Sequence, residues 1–492
     1  MNGFGLLKHL SIYSTGSLLV AIAGFISFPI LTRIFTVADY GLLNLVSVTM
    51  LLLLGVAKLG QQHSTVRFHS ISAATGDPGE LATFRSTALG GMLATSVAVA
   101  LIWFVVVFLL PAHWWNDSRV RGIFLLTAVL IVTRTMDSAI SNLMRAEQRS
   151  AALTIYSVCK RYGVLAAVVA TLLLISPTIH GFFTATIVAE TAAVSILAIV
   201  ILRGTGIGPA RFSTPLLRSM LAFGIPMVGY EVSANILALG DRYALQFLLG
   251  PEAVGVYSAA YNLCEYVQTI VIASVSQAAV PMYLKIWEEQ GREPTERMLG
   301  SALYFYVLLS LPMVFGMWAV APELIGLLAT DKYIDGASSV PWVMAGMSID
   351  GCMIMVAAGL YVQKQTRKIA GLVIGAAVLN VLLNVALIPL LGIKGSAIAT
   401  FFTHLGLAGA AYGVARKYVT VALPWGAATR SLFASAVMYA VVSAIELPVP
   451  SATLVVRVIA GALTYGLLIL AIDVQARKVT LSTLSRVSRA FA

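Results

Sequence analysis

The chain has 492 residues, of which 59% are apolar and 11% are charged, whereas about 25% are charged in an ordinary soluble domain. Mean hydropathy is +0.91. These values exclude a soluble enzyme, a disordered chain and a small disulfide-bonded scaffold, and they indicate a protein with many membrane spans. The three cysteines lie singly in apolar segments, without the spacing of a metal site.

A helix needs about 20 mostly apolar residues to cross a bilayer. On that basis the sequence predicts an all-α polytopic membrane protein with fourteen transmembrane helices. They are expected at 10–32, 40–62, 84–110, 120–144, 151–175, 179–202, 217–240, 251–283, 299–320, 337–361, 369–390, 394–415, 425–446 and 452–472. The first run is of spanning length and leads into further spans, so we expect no removable signal peptide.

The charges of the connecting segments predict the orientation. With the N-terminus inside, twenty Lys and Arg residues fall in inside segments and five in outside segments. Since cytoplasmic loops carry the excess of basic residues, both termini are expected in the cytoplasm. The largest inside loop is expected at 63–83 and the longest outside loop at 321–336.

A weak internal repeat suggests how the spans are grouped. Shifting the sequence by 214 residues places Gly41 on Gly255, and in both copies a short turn with an acid and a glycine follows a long span. We therefore expect a six-helix half at 1–206, a second at 207–418, two extra helices at 419–472 and a basic cytoplasmic tail at 473–492. Parallel repeats usually place a substrate path between the halves.

Three segments resemble a known family. They are SIYSTGSLLVAIAGFISFPILTRIFTVADYGLLNL near the start, FGIPMVGYEVSANILALGDRYALQFLLGPEAVGVYSAAYNL with its Asp241–Arg242 pair, and NVLLNVALIPLLGIKGSAIAT at 380–400. This sequence is similar to the polysaccharide transporters, the Wzx-type oligosaccharide flippases of the multidrug/oligosaccharidyl-lipid/polysaccharide exporter superfamily. The resemblance covers about residues 10–415.

The resemblance implies two six-helix bundles around a central cavity that opens alternately to each side. It implies a flippase, not an enzyme, that moves undecaprenyl-diphosphate-linked oligosaccharide across the bacterial cytoplasmic (inner) membrane, for O-antigen, capsule or exopolysaccharide assembly. The partners would be the lipid-linked oligosaccharide, membrane lipids and the polymerase and chain-length components of the pathway, with no nucleic acid. No cofactor is expected, and a proton or sodium gradient is the candidate energy source.

Charged groups inside spans are costly, and they usually face protein or water. In the fourth span, Arg134, Asp137 and Asn142 recur at helical spacing on one face. They predict a polar stripe along a wet cavity. The alternative is an Arg134–Asp137 pair, three residues apart, that links neighbouring helices.

The fifth span carries Tyr156, Lys160 and Arg161. Arg offers forked donors and Lys a point charge, both suited to phosphate. Lys160 shares its face with Tyr156, a candidate platform for a sugar. A structural ion pair between Lys160 and Glu190 of the sixth span is the alternative.

Further polar positions follow in the seventh and eighth spans: Glu231, Asn235 and Arg242, then Tyr261 and Glu265. These could hydrogen-bond sugar hydroxyls, or they could simply join helices. Lys58, Arg430 and Arg457 are interpreted as snorkelling to the interface, and His404 as a buried, hydrogen-bonded histidine. Intramembrane acids outnumber deep basic residues, which predicts that acids are paired or carry protons.

Other functions remain open. A cation-coupled multidrug exporter has a similar plan, but many carry an acid in the first span, and residues 10–32 contain none. A lipid II flippase with fourteen spans is closer still. A membrane glycosyltransferase or polymerase would need larger external loops than those predicted.

Overall fold

The computed structural model of the protein describes residues 3–111, 118–203 and 206–480, with side chains except at 3–14, 118 and 270–278. These ranges contain α-helices and short 3-10 helices and no strand, in agreement with the all-α prediction. A helix satisfies its own backbone hydrogen bonds, as a segment in lipid must. The helices are α1 (Gly3–Ile34), α2 (Val37–Lys58), α3 (Gln61–Ala74), α4 (Pro78–Leu109), α5 (Ser118–Ala146), α6 (Ser150–Leu174), α7 (Ile179–Leu202), α8 (Thr214–Leu239), α9 (Asp241–Leu249), α10 (Pro251–Gln290), α11 (Arg292–Leu328), α12 (Val340–Val356), α13 (Ala358–Val362), α14 (Thr366–Leu391), α15 (Ile393–Ala415), α16 (Trp425–Ser443) and α17 (Pro450–Ile472).

Twelve helical stretches of the described residues are long and apolar enough to cross a membrane. They coincide with twelve of the predicted spans. Helices also form at the other two predicted spans, as α10 and α16. The protein is therefore a multi-pass membrane protein with about twelve candidate spans, and the count of fourteen stays a prediction.

Two of the predicted loops are wrong. Helix α3 covers most of 63–83, and α11 runs to Leu328 before a 3-10 helix at Asp331–Ser339. The sequence of α3 is polar, as loop sequences are. In the structure α3 packs against α4, α5 and α8. Because packing supplies most of the stability of a short helix, this segment is helical. Proline often marks the end of a helix, and Pro322 lies just inside the predicted loop. Helix α11 nevertheless continues through Pro322, because transmembrane helices tolerate proline.

One compact unit of the chain extends to Gly255. At its centre α5 packs against α2, α3, α4, α6 and α7, while α8 packs against α2, α3 and α4. The core between these helices includes Phe84, Met92, Ile140 and Met144, none of which exceeds 2% exposure. This core positions the polar face of α5.

The second compact unit begins at Val256. In it α11 packs against α12, α16 and α17, and α15 packs against α12 and α14. A core of Tyr283, Leu299, Tyr306 and Met355 is fully or almost fully buried.

The predicted tail is described as far as residue 480, and residues 481–492 lie outside the described part. The predicted halves rest on the repeat rather than on packing, and they stay a prediction.

The two glycines that the repeat aligns meet within the first unit. A Cβ on Gly41 would lie 2.0 Å from the carbonyl oxygen of Pro251 and 2.8 Å from the nitrogen of Gly255. A Cβ on Gly255 would lie 2.1 Å from the carbonyl oxygen of Val37. The starts of α2 and α10 therefore touch backbone to backbone, which only glycine permits.

Candidate functional site

The polar face of α5 meets polar side chains from two neighbouring helices. Arg134 donates from Nε to Oε2 of Glu190 at 2.8 Å and from Nη2 to Oε1 at 2.9 Å. This bidentate pair joins α5 to α7, and a Thr133–Thr191 hydroxyl contact of 3.1 Å lies beside it. The planar guanidinium fits both carboxylate oxygens at once, which makes this the stronger kind of ion pair.

Asp137, one turn further along α5, receives two donors from α6. Lys160 Nζ lies 2.6 Å from Asp137 Oδ2, and the hydroxyl of Tyr156 donates to Oδ1. Lys160 Nζ also lies 5.4 Å from the centre of the Tyr156 ring, within the range of a cation–π contact. The structure thus brings together three of the predicted site residues, with Tyr156 and Lys160 both bonded to the Asp137 carboxylate.

These contacts correct two predicted pairings. Arg134 bonds Glu190 rather than Asp137, and Lys160 bonds Asp137 rather than Glu190. The reason is tertiary: α7 and α6 pack on α5 so that each acid meets the cation of another helix. We call Arg134, Asp137, Tyr156, Lys160 and Glu190 the α5–α7 cluster.

The α5–α7 cluster is only partly buried and carries no net charge. The exposed fractions of its charged side chains range from 14% for Glu190 to 32% for Arg134. Two cations are matched by two anions. A ligand that reached the cluster would therefore meet cations that already have partners.

The stripe on α5 continues to the end of the helix. Asn142 donates from Nδ2 to the Ser138 hydroxyl at 3.2 Å and accepts from Nη1 of Arg145 at 3.2 Å. Arg161 lies outside the cluster: it is exposed, and within the described residues no carboxylate lies within ion-pair distance of it.

Glu231 and Asn235 belong to a second group, next to the break between α2 and α3. Gln62 donates to the Glu231 carboxylate, and Lys58 Nζ lies 3.8 Å from it. The amide nitrogen of Asn235 lies 3.5 Å from the place where Gly55 would carry a Cβ. The ammonium group of Lys58 is thus next to this acid, and its interpretation as snorkelling stays a prediction.

The side chain of Arg242 is buried. Its Nη1 donates to Asp241 Oδ1 at 2.6 Å and to the Ala238 carbonyl at 3.3 Å. The exposed fractions of the two charged side chains are 2% and 3%. In this conformation the pair is placed to join α8 and α9 rather than to meet a ligand.

The remaining predicted residues, Tyr261 and Glu265, lie on α10 in the second unit. Tyr261 is 8% exposed, and its ring centre is 6.0 Å from that of Tyr257. Glu265 is exposed. His404 is buried as predicted. Its Nδ1 lies 3.4 Å from Asp350 but has no hydrogen-bond partner among the described residues, so the predicted hydrogen bond is not formed at this atom.

Sequence reasoning missed two polar networks of the second unit. Arg457 is buried, and its Nη1 lies 2.6 Å from Oε1 of Glu323, so the snorkelling interpretation is wrong. Arg430 likewise bonds the fully buried Asp473 at 2.9 Å. The sequence offers one signal for these networks, a single charged residue in an otherwise apolar helix. Such a residue does not by itself reveal its partner.

The described residues contain no group of three or more His, Cys, Asp or Glu side chains placed to hold a metal ion. The polar groups that this geometry offers are suited to hydrogen bonding, ion pairing and exchange of ionic partners.

Comparisons with known proteins agree with this architecture. The model of the family described as "Polysaccharide biosynthesis protein" matches residues 6–287. An "Uncharacterized membrane protein" of Methanocaldococcus jannaschii is 26% identical over 197 residues, which are 39% of this chain and 38% of that relative. The chain thus matches well under half the length of this relative.

Solved structures share the fold. The lipid II flippase MurJ in an inward closed conformation gives a TM-score of 0.74 at 13% identity, over 92% of this chain and 98% of that one. An inward-facing multidrug resistance MATE transporter of the MOP superfamily gives 0.63 at 14%, over 81% and 97%. A MOP superfamily transporter from Pyrococcus furiosus gives 0.60 at 15%, over 83% and 95%.

Proposed function

The chain belongs to the polysaccharide biosynthesis protein family, and from this premise we propose that it is a flippase for undecaprenyl-diphosphate-linked oligosaccharide. Membership in this family makes it a transporter and not an enzyme. In our proposal it moves the repeat unit from the inner to the outer leaflet of the cytoplasmic membrane by alternating access. The repeat unit would then supply O-antigen, capsule or exopolysaccharide assembly.

The α5–α7 cluster is the observation that supports this function. Polar and charged side chains in the middle of spanning helices are costly unless they are paired or wet. Here they are paired across three helices and still partly exposed. Such a surface suits a ligand that is polar at one end, while its lipid tail stays in the bilayer.

We propose that the diphosphate binds by exchange of partners. The ammonium group of Lys160 would leave Asp137 and bind the diphosphate. Arg134 would keep one of its two hydrogen bonds to Glu190 and donate the other to a phosphate oxygen. Arg suits this role because it can bond two acceptors at once. Tyr156 would stay near Lys160 and offer its ring and hydroxyl to the first sugar.

This exchange explains why each cation of the α5–α7 cluster has an acid partner. An unpaired cation in the empty transporter would be costly to bury, and its acid partner removes that cost. The acids would also release the headgroup, because they compete with it once the site faces the other side.

Reconstituted vesicles provide the test. Purified protein is placed in liposomes that contain fluorescent polyprenyl-diphosphate oligosaccharide, and the outer-leaflet fraction is measured with a quencher that does not cross the membrane. We expect exchange between leaflets well above that of protein-free liposomes. Parallel vesicles contain lipid II or a cationic dye. Transport of the dye alone would favour a multidrug exporter, and exchange of lipid II alone would favour a lipid II flippase.

A further inference from the structure

A cavity of about 290 Å³ lies in the second unit, and no residue of the α5–α7 cluster lines it. Four elements form its wall: α11, the 3-10 helix Asp331–Ser339, α16 and α17. The volume is at the lower end of the range for ligand pockets, roughly 300–1,000 Å³. It is suited to one small ligand.

The cavity has an aromatic side. Trp318 of α11 and Tyr439 of α16 line it, and their ring centres are 4.6 Å apart at an angle of 33°. Trp318 is 43% exposed. Aromatic rings of this kind offer a large apolar face together with a polar edge.

Two serines supply hydrogen-bonding groups to the wall, next to the apolar Ala319, Pro322 and Ala337. Ser338 and Ser443 line the cavity. The Ser338 hydroxyl donates to the Asp335 carbonyl, so its oxygen remains able to accept from a ligand.

Arg457 is the charged group in the wall, with a side chain only 8% exposed. Its Nε donates to the Ile445 carbonyl at 2.9 Å, and Nη1 donates to the Ala319 carbonyl at 3.1 Å and to Glu323 at 2.6 Å. Within the described part of the chain, Nη2 has no hydrogen-bond acceptor. A guanidinium has five N–H donors, and the two on Nη2 remain for a ligand.

The charges decide the class of ligand. Glu323 neutralises Arg457 at 2.6 Å, so the cavity offers donors and acceptors without net positive charge. A phosphate would need a cation that can exchange its partner, as the partly exposed Arg134 and Lys160 can. Arg457 is buried and already donates to two backbone carbonyls and Glu323, so its charge is not available for such an exchange. A neutral polyhydroxyl ring needs neutral hydrogen-bonding groups and an aromatic face, which are what this wall provides.

From these contacts we propose that the cavity is a saccharide subsite that holds one sugar ring against Trp318 and Tyr439, with hydroxyls on Arg457 Nη2 and the two serines. This rests on the proposed function, because it assigns a second contact for the transported glycan. In the predicted orientation the 3-10 helix is on the outer side, where the glycan emerges. The two extra helices would thus contribute a binding wall.

Saturation-transfer NMR tests the subsite without transport. The full chain is purified in a detergent without a sugar headgroup and mixed with methyl glucoside, methyl galactoside, N-acetylglucosamine or phosphoethanolamine. We expect transfer to at least one sugar and none to phosphoethanolamine. Transfer should fall at least threefold in Trp318→Leu and Tyr439→Leu.

Trp425→Leu is the matched control, because Trp425 is an exposed ring of α16 that does not line the cavity; its transfer should equal that of the parent protein. Arg457→Lys keeps a charge for Glu323 but removes Nη2, and it should weaken transfer if its melting temperature shows that it folds. Transfer to no sugar, or transfer in both ring variants equal to that of the parent protein, would overturn the subsite. Preference for phosphoethanolamine would make the cavity a lipid headgroup site instead.

The two proposals fail separately. Sugar binding that depends on both rings, in a protein that exchanges no lipid-linked oligosaccharide, would keep the subsite and reject the flippase. Exchange of lipid-linked oligosaccharide in vesicles, without sugar binding that depends on the two rings, would keep the flippase and reject the subsite.

Discussion

At the scale of single residues, the ion pair with Asp137 gives Lys160 a structural role beside its proposed ligand-binding role. The carboxylate accepts from both Lys160 and Tyr156, so Lys160 has a structural partner in the absence of ligand. A structural and a ligand-binding role are thus combined in one side chain. They can be separated because the partner is now known.

We expect Lys160→Ala to destabilise the protein by about 1 kcal/mol, toward the lower end of the cost of an unsatisfied polar group, because Asp137 is partly exposed and keeps its hydrogen bond from Tyr156. Transport should be lost as well. Thermal unfolding in detergent and leaflet exchange in vesicles measure the two effects.

The double variant Lys160→Gln with Asp137→Asn restores a neutral pair of similar size. If Lys160 binds the diphosphate, stability should return while exchange stays absent. Recovery of both stability and exchange would reject the ligand role and leave only the structural one.

Asp473 supports a prediction about pH, and it follows the last residue of α17. Burial opposes its ionisation, but hydrogen bonds from Tyr304, from the Ala476 backbone and from Arg430 outweigh burial, so the pKa of Asp473 lies below its ordinary value of 3.8. A carboxyl group with a lowered pKa stabilises the fold above its unfolded pKa, and this contribution disappears as the pH falls through the folded pKa. The melting temperature should therefore exceed that of Asp473→Asn at neutral pH, and the difference should shrink below about pH 4. A difference that is constant down to pH 3 would contradict this.

At the scale of helices, the break between α2 and α3 depends on glycine. Gly60 has φ +70, and a Cβ there would lie 2.0 Å from the Gly224 carbonyl oxygen of α8. The break turns α3 so that Gln62 meets Glu231. The second group of polar residues therefore depends on this close approach.

Gly60→Ala should lower the melting temperature more than Gly76→Ala. Gly76 has φ +72, nearly the same backbone conformation, but nothing lies within 4 Å of the added Cβ. The difference between the two variants isolates the clash with α8 from the cost of the left-handed backbone. Equal melting temperatures would show that α3 and α8 do not need this contact.

At the scale of the whole molecule, the distribution of basic residues predicts the topology. Alkaline phosphatase fused after Ala492 should be inactive, because both termini are expected inside. The same enzyme inserted after Glu446, between α16 and α17, should be active. Activity of the fusion after Ala492 would reject an even number of spans with the N-terminus inside.

The sequence by itself determined the class of the protein, most of its helices and its family. These properties depend on local composition, because about 20 consecutive apolar residues must form a helix in lipid wherever they lie in the chain. It also placed Arg134, Asp137 and Lys160 on polar faces, since helical spacing alone decides which residues share a face.

Only the tertiary structure decided which of these charges meet. Helical spacing does not say which helix lies opposite a given face, so Glu190 could not be assigned to Arg134 or Asp137 to Lys160. Nor could it show that the isolated Arg457 has a partner in Glu323 of α11, more than a hundred residues earlier. The polar helix α3 was missed for the same reason, because its stability comes from α4, α5 and α8 rather than from its own sequence.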